Sequence, residues 1–271
     1  MNKWKKYFVV GLMLISQVGF VMAQEDENSG GSSFYFGINA GSILANKYTA
    51  PYYSGYSDFS IKDLIGIQTI YNQIYNKIQK DFVLSEYPSN ERYRWGLDLG
   101  LHLGYYLDES TALFSNINVQ RIKTQEVFTI SATDPANPFG DPIIFPESVI
   151  GEERRMQIDL GVHIDYGDRY KAGGYLELFG SFNAVKAQKN DVIIEGLRYS
   201  LLRQSTIYNR YDVGGIGWGA GIGTGVRVKF NDKFSFDVGA NASFQRINLW
   251  EEYRPIKLKL NPQVYVRILW L

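Results

Sequence analysis

The chain has no cysteine and only two histidines among its 271 residues. Without a thiol, a disulfide framework, a thiolate metal site and a cysteine nucleophile are all excluded. Charge of one sign is also lacking, since 28 Lys and Arg stand against 28 Asp and Glu. No basic excess exists to hold nucleic acid. Long hydrophobic runs are missing as well. Past the N-terminal leader, no stretch approaches the roughly 18 apolar residues that a spanning helix needs. Any residence in a membrane would require a closed barrel, the other architecture that satisfies its backbone polar groups within lipid.

What is present begins with Lys3, Lys5 and Lys6, a mostly apolar run over residues 7–20, and Val21-Met22-Ala23 before Gln24. This pattern predicts a signal peptide over residues 1–23 that is cleaved after Ala23. The run is interrupted by Gln17 and followed by Glu25, Asp26 and Glu27, which is no stop-transfer signal. No cysteine follows it, so there is no lipid-attachment site of the lipoprotein kind. Loss of the three lysines would leave 25 basic against 28 acidic side chains. Residues 24–32 then form a short periplasmic segment, and residues 33–271 form one domain.

The class is read from residues 94–107. There Trp95, Leu97, Leu99, Leu101, Leu103, Tyr105 and Leu107 alternate with Arg94, Gly96, Asp98, Gly100, His102, Gly104 and Tyr106. Strict period two is a strand with one face in an apolar medium and the other against polar or very small groups. The pattern recurs over residues 156–166, 216–230 and 234–245. Weaker alternation covers 33–42, 112–122, 171–185 and 256–271. Eight strands are expected, with ten as the alternative.

Strands two and three, four and five, and six and seven are joined by short turns: Asp108-Glu109-Ser110-Thr111, Gly167-Asp168-Arg169-Tyr170 and Asn231-Asp232-Lys233. The other connections are long, over about 43–93, 123–155, 186–215 and 246–255. Short turns on one rim and long loops on the other match the periplasmic and extracellular ends of an outer-membrane barrel, with both termini periplasmic. A soluble barrel would turn its apolar face inward. Here the polar face carries six glycines at alternate positions from Gly215 to Gly225, which suits a crowded lumen. Aromatics gather near strand ends, with Phe34, Phe36, Tyr105, Tyr166, Phe230, Phe234 and Trp270 toward the turns and Trp95 and Trp218 toward the loops, as interfacial girdles do.

The leader, the eight segments, the asymmetric connections and the apolar ending Ile268-Leu269-Trp270-Leu271 together resemble the small outer-membrane β-barrel superfamily of OmpA, OmpX and OmpW domains, often described as porin-family proteins. The resemblance covers nearly the whole mature chain and is one of pattern. It implies an all-β, eight-stranded antiparallel transmembrane barrel in the bacterial outer membrane. In that family an aromatic final residue often serves as part of the insertion signal. This chain departs from it, ending in Leu271 with Trp270 one residue earlier.

Asp98, His102, Asp159, His163, Asp165, Glu177, Arg227, Lys229, Asp237, Lys257, Lys259 and Arg267 fall on the inward face. Histidines beside carboxylates invite a catalytic or metal reading. An eight-stranded barrel, however, has an interior just wide enough to be filled by side chains, and its buried charges must be paired. His102 and His163 lie on non-neighbouring strands without a three-ligand spacing. A structural network of Asp98, His102, Asp159, His163, Asp165, Glu177, Arg227, Asp237 and Arg267 is therefore expected, with no cofactor or metal. A phosphate loop is excluded at Gly214–Gly225 because the glycine period is two and no helix follows. Those glycines are expected to make room for long side chains such as Arg267 and Tyr265. A lipid-modifying enzyme would want a histidine and a serine together near the lipid-facing surface, and both histidines point inward instead.

Function is then expected in the loops. The first connection carries eight tyrosines: Tyr48, Tyr52, Tyr53, Tyr56, Tyr71, Tyr75, Tyr87 and Tyr93. In it Leu64, Ile67, Ile70, Tyr71, Ile74 and Ile78 recur at helical spacing, predicting an amphipathic helix over 62–80. Its apolar stripe either caps the barrel mouth or docks a partner protein. The second connection holds Asp134-Pro135-Ala136-Asn137-Pro138-Phe139-Gly140-Asp141-Pro142, stiffened by three prolines. The leading expectation is a non-enzymatic barrel, surrounded by outer-membrane lipid, that serves as an accessory subunit of an envelope complex or as a surface-binding module. A small porin-like channel is the alternative, and a lipid-modifying enzyme stands third.

Overall fold

The computed structural model describes residues 34–56, 60–134, 136–137, 139–167, 172–202, 213–231, 233–249 and 258–271. The expected leader and N-terminal segment lie outside them. So do the turn residues Asp168, Arg169, Tyr170 and Asp232, the prolines Pro135 and Pro138, the inward position Lys257, and parts of the third and fourth long connections.

Among the described residues the chain forms ten strands: β1 (Phe34–Ile43), β2 (Phe82–Glu86), β3 (Gly96–Tyr106), β4 (Thr111–Ala132), β5 (Ile143–Gly167), β6 (Ala172–Ile194), β7 (Leu197–Ser200), β8 (Gly214–Asn231), β9 (Phe234–Ile247) and β10 (Lys259–Trp270). Two helices, α1 (Ile61–Gly66) and α2 (Gln68–Ile78), lie between β1 and β2. All pairings are antiparallel, in the order β4-β3-β1-β10-β9-β8-β6-β5, and β5 pairs back onto β4 to close a ring of eight. β2 and β7 stand outside the ring, on the upper parts of β4 and β6. Eight strands build the barrel and ten build the sheet, so both counts have a place.

The strands are tilted. Pairing followed once round the ring leads from Gln120 through Asp98, Gly41, Tyr265, Gly239, Gly225, Tyr175 and Asp165 to Ser110, ten positions from the start on β4. An even offset returns every inward residue to the inward face, as barrel closure demands. That face is polar and buried, whereas the outward face is apolar and open, with Leu99 48% and Ile222 48% exposed against Asp98 and His102 at 0%. At the short-turn rim Phe36 stacks on Trp270 with centroids 5.0 Å apart, and Phe234 meets the same indole edge-on at 5.8 Å.

Part of the wall was expected to be loop. Connection 123–155 proves to be the upper halves of β4 and β5, and β6 runs on to Ile194. The reason is an inversion of sense. Up to Gln120, β4 has apolar Leu113, Ile117 and Val119 outside and Phe114, Asn116, Asn118 and Gln120 inside. Above it, Arg121, Lys123, Gln125, Thr129 and Ser131 face out while Ile122, Phe128, Ile130 and Ala132 are buried. Period two continues while the medium on each side changes. In β6 the parity itself shifts: Glu152 pairs with Lys189 and Glu153 with Ala187, so Gln188 is a bulge, and the inward residues become Asn190, Val192 and Ile194. Of the prolines here, Pro142 lies in the tip just before β5 begins at Ile143, and Pro146 lies within β5.

The expected single helix over 62–80 is two helices broken at Ile67, whose extended backbone serves as C-cap of α1 and N-cap of α2. Ser60 starts α1 with a reciprocal capping box, its hydroxyl accepting from the Asp63 amide while Asp63 accepts from the Ser60 amide. The helices pack on the inward face of the β2-β4-β5-β6-β7 sheet, burying Ile61, Leu64, Ile74 and Ile78 against Phe82, Phe128, Ile130, Val149, Val192 and Ile194. This cap has a hydrophobic core of its own.

Candidate functional site

The nine expected lumen residues are brought together in two groups. In the lower one, Arg267 Nη1 lies 2.8 Å from Glu177 Oε1 and 3.5 Å from Asp237 Oδ2, while its Nε donates to Asn39 Oδ1 at 2.8 Å. Arg227 grips Asp237 with Nε at 2.9 Å and Nη2 at 3.1 Å, donates to the Tyr106 hydroxyl at 2.7 Å, and lies 3.3 Å from Asp165. His163 bridges Glu177 and Asp165, each at 3.0 Å. His102 holds Asn116 Oδ1 at 2.6 Å through Nδ1 and faces Arg267 with Nε2 at 3.5 Å. Both nitrogens of each histidine thus face polar partners within the network.

The upper group is lined by amides. Asp98 accepts from Asn118 at 3.3 Å and from Gln263, Asp159 accepts from Gln157 and Ser181, and Gln120 donates to Gln157 at 2.9 Å. Asn39 joins the groups by reaching Asn116 at 3.2 Å and Asn118 at 3.3 Å. No salt bridge to Asp98 or Asp159 is formed among the described residues. The glycine face of β8 is covered: a Cβ at Gly221 would run into the Phe179 ring, and one at Gly225 into the Tyr175 hydroxyl. Close approach by aromatic side chains accounts for Gly221 and Gly225, whereas a Cβ at Gly215, Gly217 or Gly219 would meet the backbone of the β9 side, at Asn248, Arg246 and Phe244. Of the two residues expected there, Tyr265 approaches Gly239 on the neighbouring strand.

A third layer, which the sequence reading did not anticipate, closes the long-loop mouth. Tyr53 and Tyr93, from the first connection, donate to Glu153 Oε2 at 3.3 and 2.7 Å. Arg155 holds Glu153 Oε1 at 2.5 Å and donates to the Thr49 hydroxyl at 3.3 Å. Burial, reinforced by the Glu153 carboxylate, holds both tyrosine hydroxyls well above their ordinary pKa, which keeps them as donors. The available signal was the inward parity of Glu153 and Arg155 on β5. At the opposite mouth a cavity of about 230 Å³ is lined by residues including Tyr106, Asp165, Arg227 and Lys229.

The expected helical stripe requires a correction as a docking surface. Leu64, Ile74 and Ile78 are buried in the cap core, Ile70 and Tyr71 pack beside them, and of the six only Ile67, at the helix break, is exposed. An apolar stripe over a sheet that is itself apolar inside has its cover within the chain. What the cap leaves outside is helix surface that carries Ile67 and Tyr75 among polar residues, Tyr56 before α1 and, at the β4–β5 tip, Phe139 at 100% exposure. Val83, Val127 and Ile144 stand on the outward sheet face below it.

No family model matches the sequence, and no curated protein matches it. Among solved structures the chain is similar to Neisserial surface protein A, at 12% identity with a TM-score of 0.44, over 89% of this chain and 99% of that one. It is similar to the N-terminal β-barrel domain of OprF from Pseudomonas aeruginosa at 10% identity and TM-score 0.36, over 88% of this chain and 98% of that one. It is also similar to the outer membrane protein OprG from Pseudomonas aeruginosa at 9% identity and TM-score 0.37, over 89% of this chain and 97% of that one.

Proposed function

We propose that this chain is a non-enzymatic barrel of the bacterial outer membrane that anchors its cap above the long-loop rim as a recognition module for a protein partner. The observation that carries this reading is the cap, with its own core, above a lumen occupied by three layers of buried polar side chains. A closed ring with an apolar exterior belongs in lipid. Side chains that fill the interior support a role outside transport. Engaged histidines, with the Ser181 hydroxyl given to Asp159, supply no nucleophile and base pair.

The contact we assign to the partner is the β4–β5 tip. A fully exposed aromatic on a hairpin tip is the kind of anchor that fills a pocket on another protein. A photo-crosslinking residue at position 139 in intact cells tests it. A discrete protein adduct, missing when the same residue replaces Leu99 on the barrel wall, is expected. Adducts to lipid alone at both positions would remove the recognition reading. Planar-bilayer recording of the purified protein should show no sustained conductance, and steady channel openings would favour the porin-like alternative.

A further inference from the structure

Asp98 and Asp159 carry charge into the upper lumen without a counter-charge. They are 0% and 1% exposed, and each accepts only from neutral donors: Asp98 from the Asn118 and Gln263 amides, Asp159 from the Gln157 amide and the Ser181 hydroxyl. A carboxylate taken out of water needs a cation as well as hydrogen bonds. The layers on either side have none to lend. Above, Arg155 is held by Glu153. Below, Arg227 and Arg267 face three carboxylates, Asp165, Glu177 and Asp237. A protonated His163, which lies between Asp165 and Glu177, would bring that group only to neutrality.

Around the two carboxylates stand acceptor oxygens that receive no donor. Asp98 Oδ1, Gln120 Oε1, Asn183 Oδ1 and Asn241 Oδ1 are all buried and unpartnered. Gln120 and Asn183 are both 0% exposed. Each of these residues lies one ladder step or one hydrogen bond from a carboxylate or from its donor. Gln120 pairs with Asp98 across β4 and β3 and donates to Gln157, which donates to Asp159. Asn183 pairs with Gln157 across β6 and β5. Asn241 donates to Gln263, which donates to Asp98. Directly paired residues have Cβ atoms about 4.5–5.5 Å apart, so the free oxygens of Asp98 and Gln120 belong to adjoining sites on the inner wall. Acceptors gathered without donors, beside uncompensated carboxylates, make a seat for positive charge.

We infer that the upper lumen binds one hard divalent cation, calcium, between Asp98, Asp159 and the free amide oxygens around them. The two carboxylates set the charge of the ion. An all-oxygen ligand set, with no histidine or thiolate in it, selects a hard ion over a transition metal. Side chains from several strands suit the irregular shell of about six to eight oxygens that calcium takes, better than the strict octahedron of magnesium. The site lies beneath the lid formed by Tyr53, Tyr93 and Glu153, so the ion exchanges only when the barrel opens. Bound there, it links the walls of β3, β4 and β5 below the cap, and binding that requires the folded ring adds to the stability of that ring.

The experiment refolds the full-length mature protein from urea into a nonionic detergent, once with calcium and once with EGTA. The calcium sample is then washed with EGTA to strip surface ions. Metal per chain is counted by native mass spectrometry, and unfolding in denaturant is followed by heat-resistant gel mobility. The comparison is Asp98→Asn/Asp159→Asn, which keeps both shapes and removes both charges. The wild type should retain one calcium per chain through the wash and unfold several-fold more slowly than its EGTA-refolded counterpart. The variant should retain none and unfold at the same rate in both conditions. A wild type that carries no calcium through the wash overturns the inference, and so does a variant that retains as much as the wild type. Calcium-free wild type that is instead slowed in unfolding by acid, with no metal retained at any pH, also overturns it, because protons would then supply the missing charge. Where the variant fails to insert, the metal count and calcium dependence of the wild type decide alone.

Discussion

Tyr93 and Glu153, 60 positions apart, meet at 2.7 Å between hydroxyl and carboxylate, tying the end of the first long connection to the inner wall of β5. This bond and its neighbour from Tyr53 convert a loop into a lid, with the buried Arg155 guanidinium as counter-charge.

Removing the acid should therefore open the lid and strand the base. Glu153→Ala leaves Arg155 buried without its carboxylate, a change that costs about 3–5 kcal/mol. Tyr93→Phe removes the hydrogen bond to the Glu153 carboxylate, worth about 1.5–3 kcal/mol, and with it the 2.9 Å bond between the Tyr93 and Thr49 hydroxyls. Denaturant-dependent gel mobility of refolded barrels checks the order, Glu153→Ala below Tyr93→Phe below wild type.

The lumen network gives a second expectation. Arg267 serves Glu177, Asp237 and Asn39 at once, so Arg267→Met should destabilise the barrel by about 3–5 kcal/mol by leaving Glu177 short of its cation. Arg267→Met combined with Glu177→Gln should recover part of that loss, because the orphaned charge is gone. A double variant no better than the single one would contradict this assignment.

The inversion along β4 is testable within one strand. Ile117 and Val127 both face outward, below and above Arg121 respectively. Ile117→Arg, in the middle of the apolar stretch of β4, should cost about 2–4 kcal/mol where the site meets lipid near the midplane, as should Leu99→Arg or Ile222→Arg. Val127→Arg should change stability by less than about 0.5 kcal/mol. Equal effects would place both positions in one medium.

The cap should unfold apart from the barrel when its core is cut. Leu64→Ala, at a site 2% exposed, is expected to cost about 2–5 kcal/mol, and Ser60→Ala about 1 kcal/mol through the lost capping box. Limited proteolysis should then cleave within residues 60–80 while the heat-resistant mobility of the barrel is retained. Loss of both together would mean that the cap and the wall fold as one unit.

Much of the barrel was legible because each strand residue lies in one of two media, and the medium is written locally in alternate positions. Leu97, Leu99 and Leu101 against Asp98 and His102 need no distant partner to be read. The upper wall was not legible in the same way. From Arg121 to Ala132 alternation persists with its sense reversed, and in β6 Gln188 shifts the parity, so a search for one continuing pattern stops at both places.

By itself, then, the sequence determined the class of fold, which face of each core strand is apolar, and the asymmetry of the two rims, since these follow from nearest neighbours along the chain. Only the tertiary structure decided which charges meet. Glu177 and Arg267 are 90 positions apart, and the tilt that brings them together is a property of the closed ring. It also decided that the stripe of Leu64, Ile74 and Ile78 is covered by the chain's own sheet, because a helix shows an apolar face in sequence without showing what lies against it. The proposed seat of recognition moves accordingly, from that stripe to the hairpin tip at Phe139.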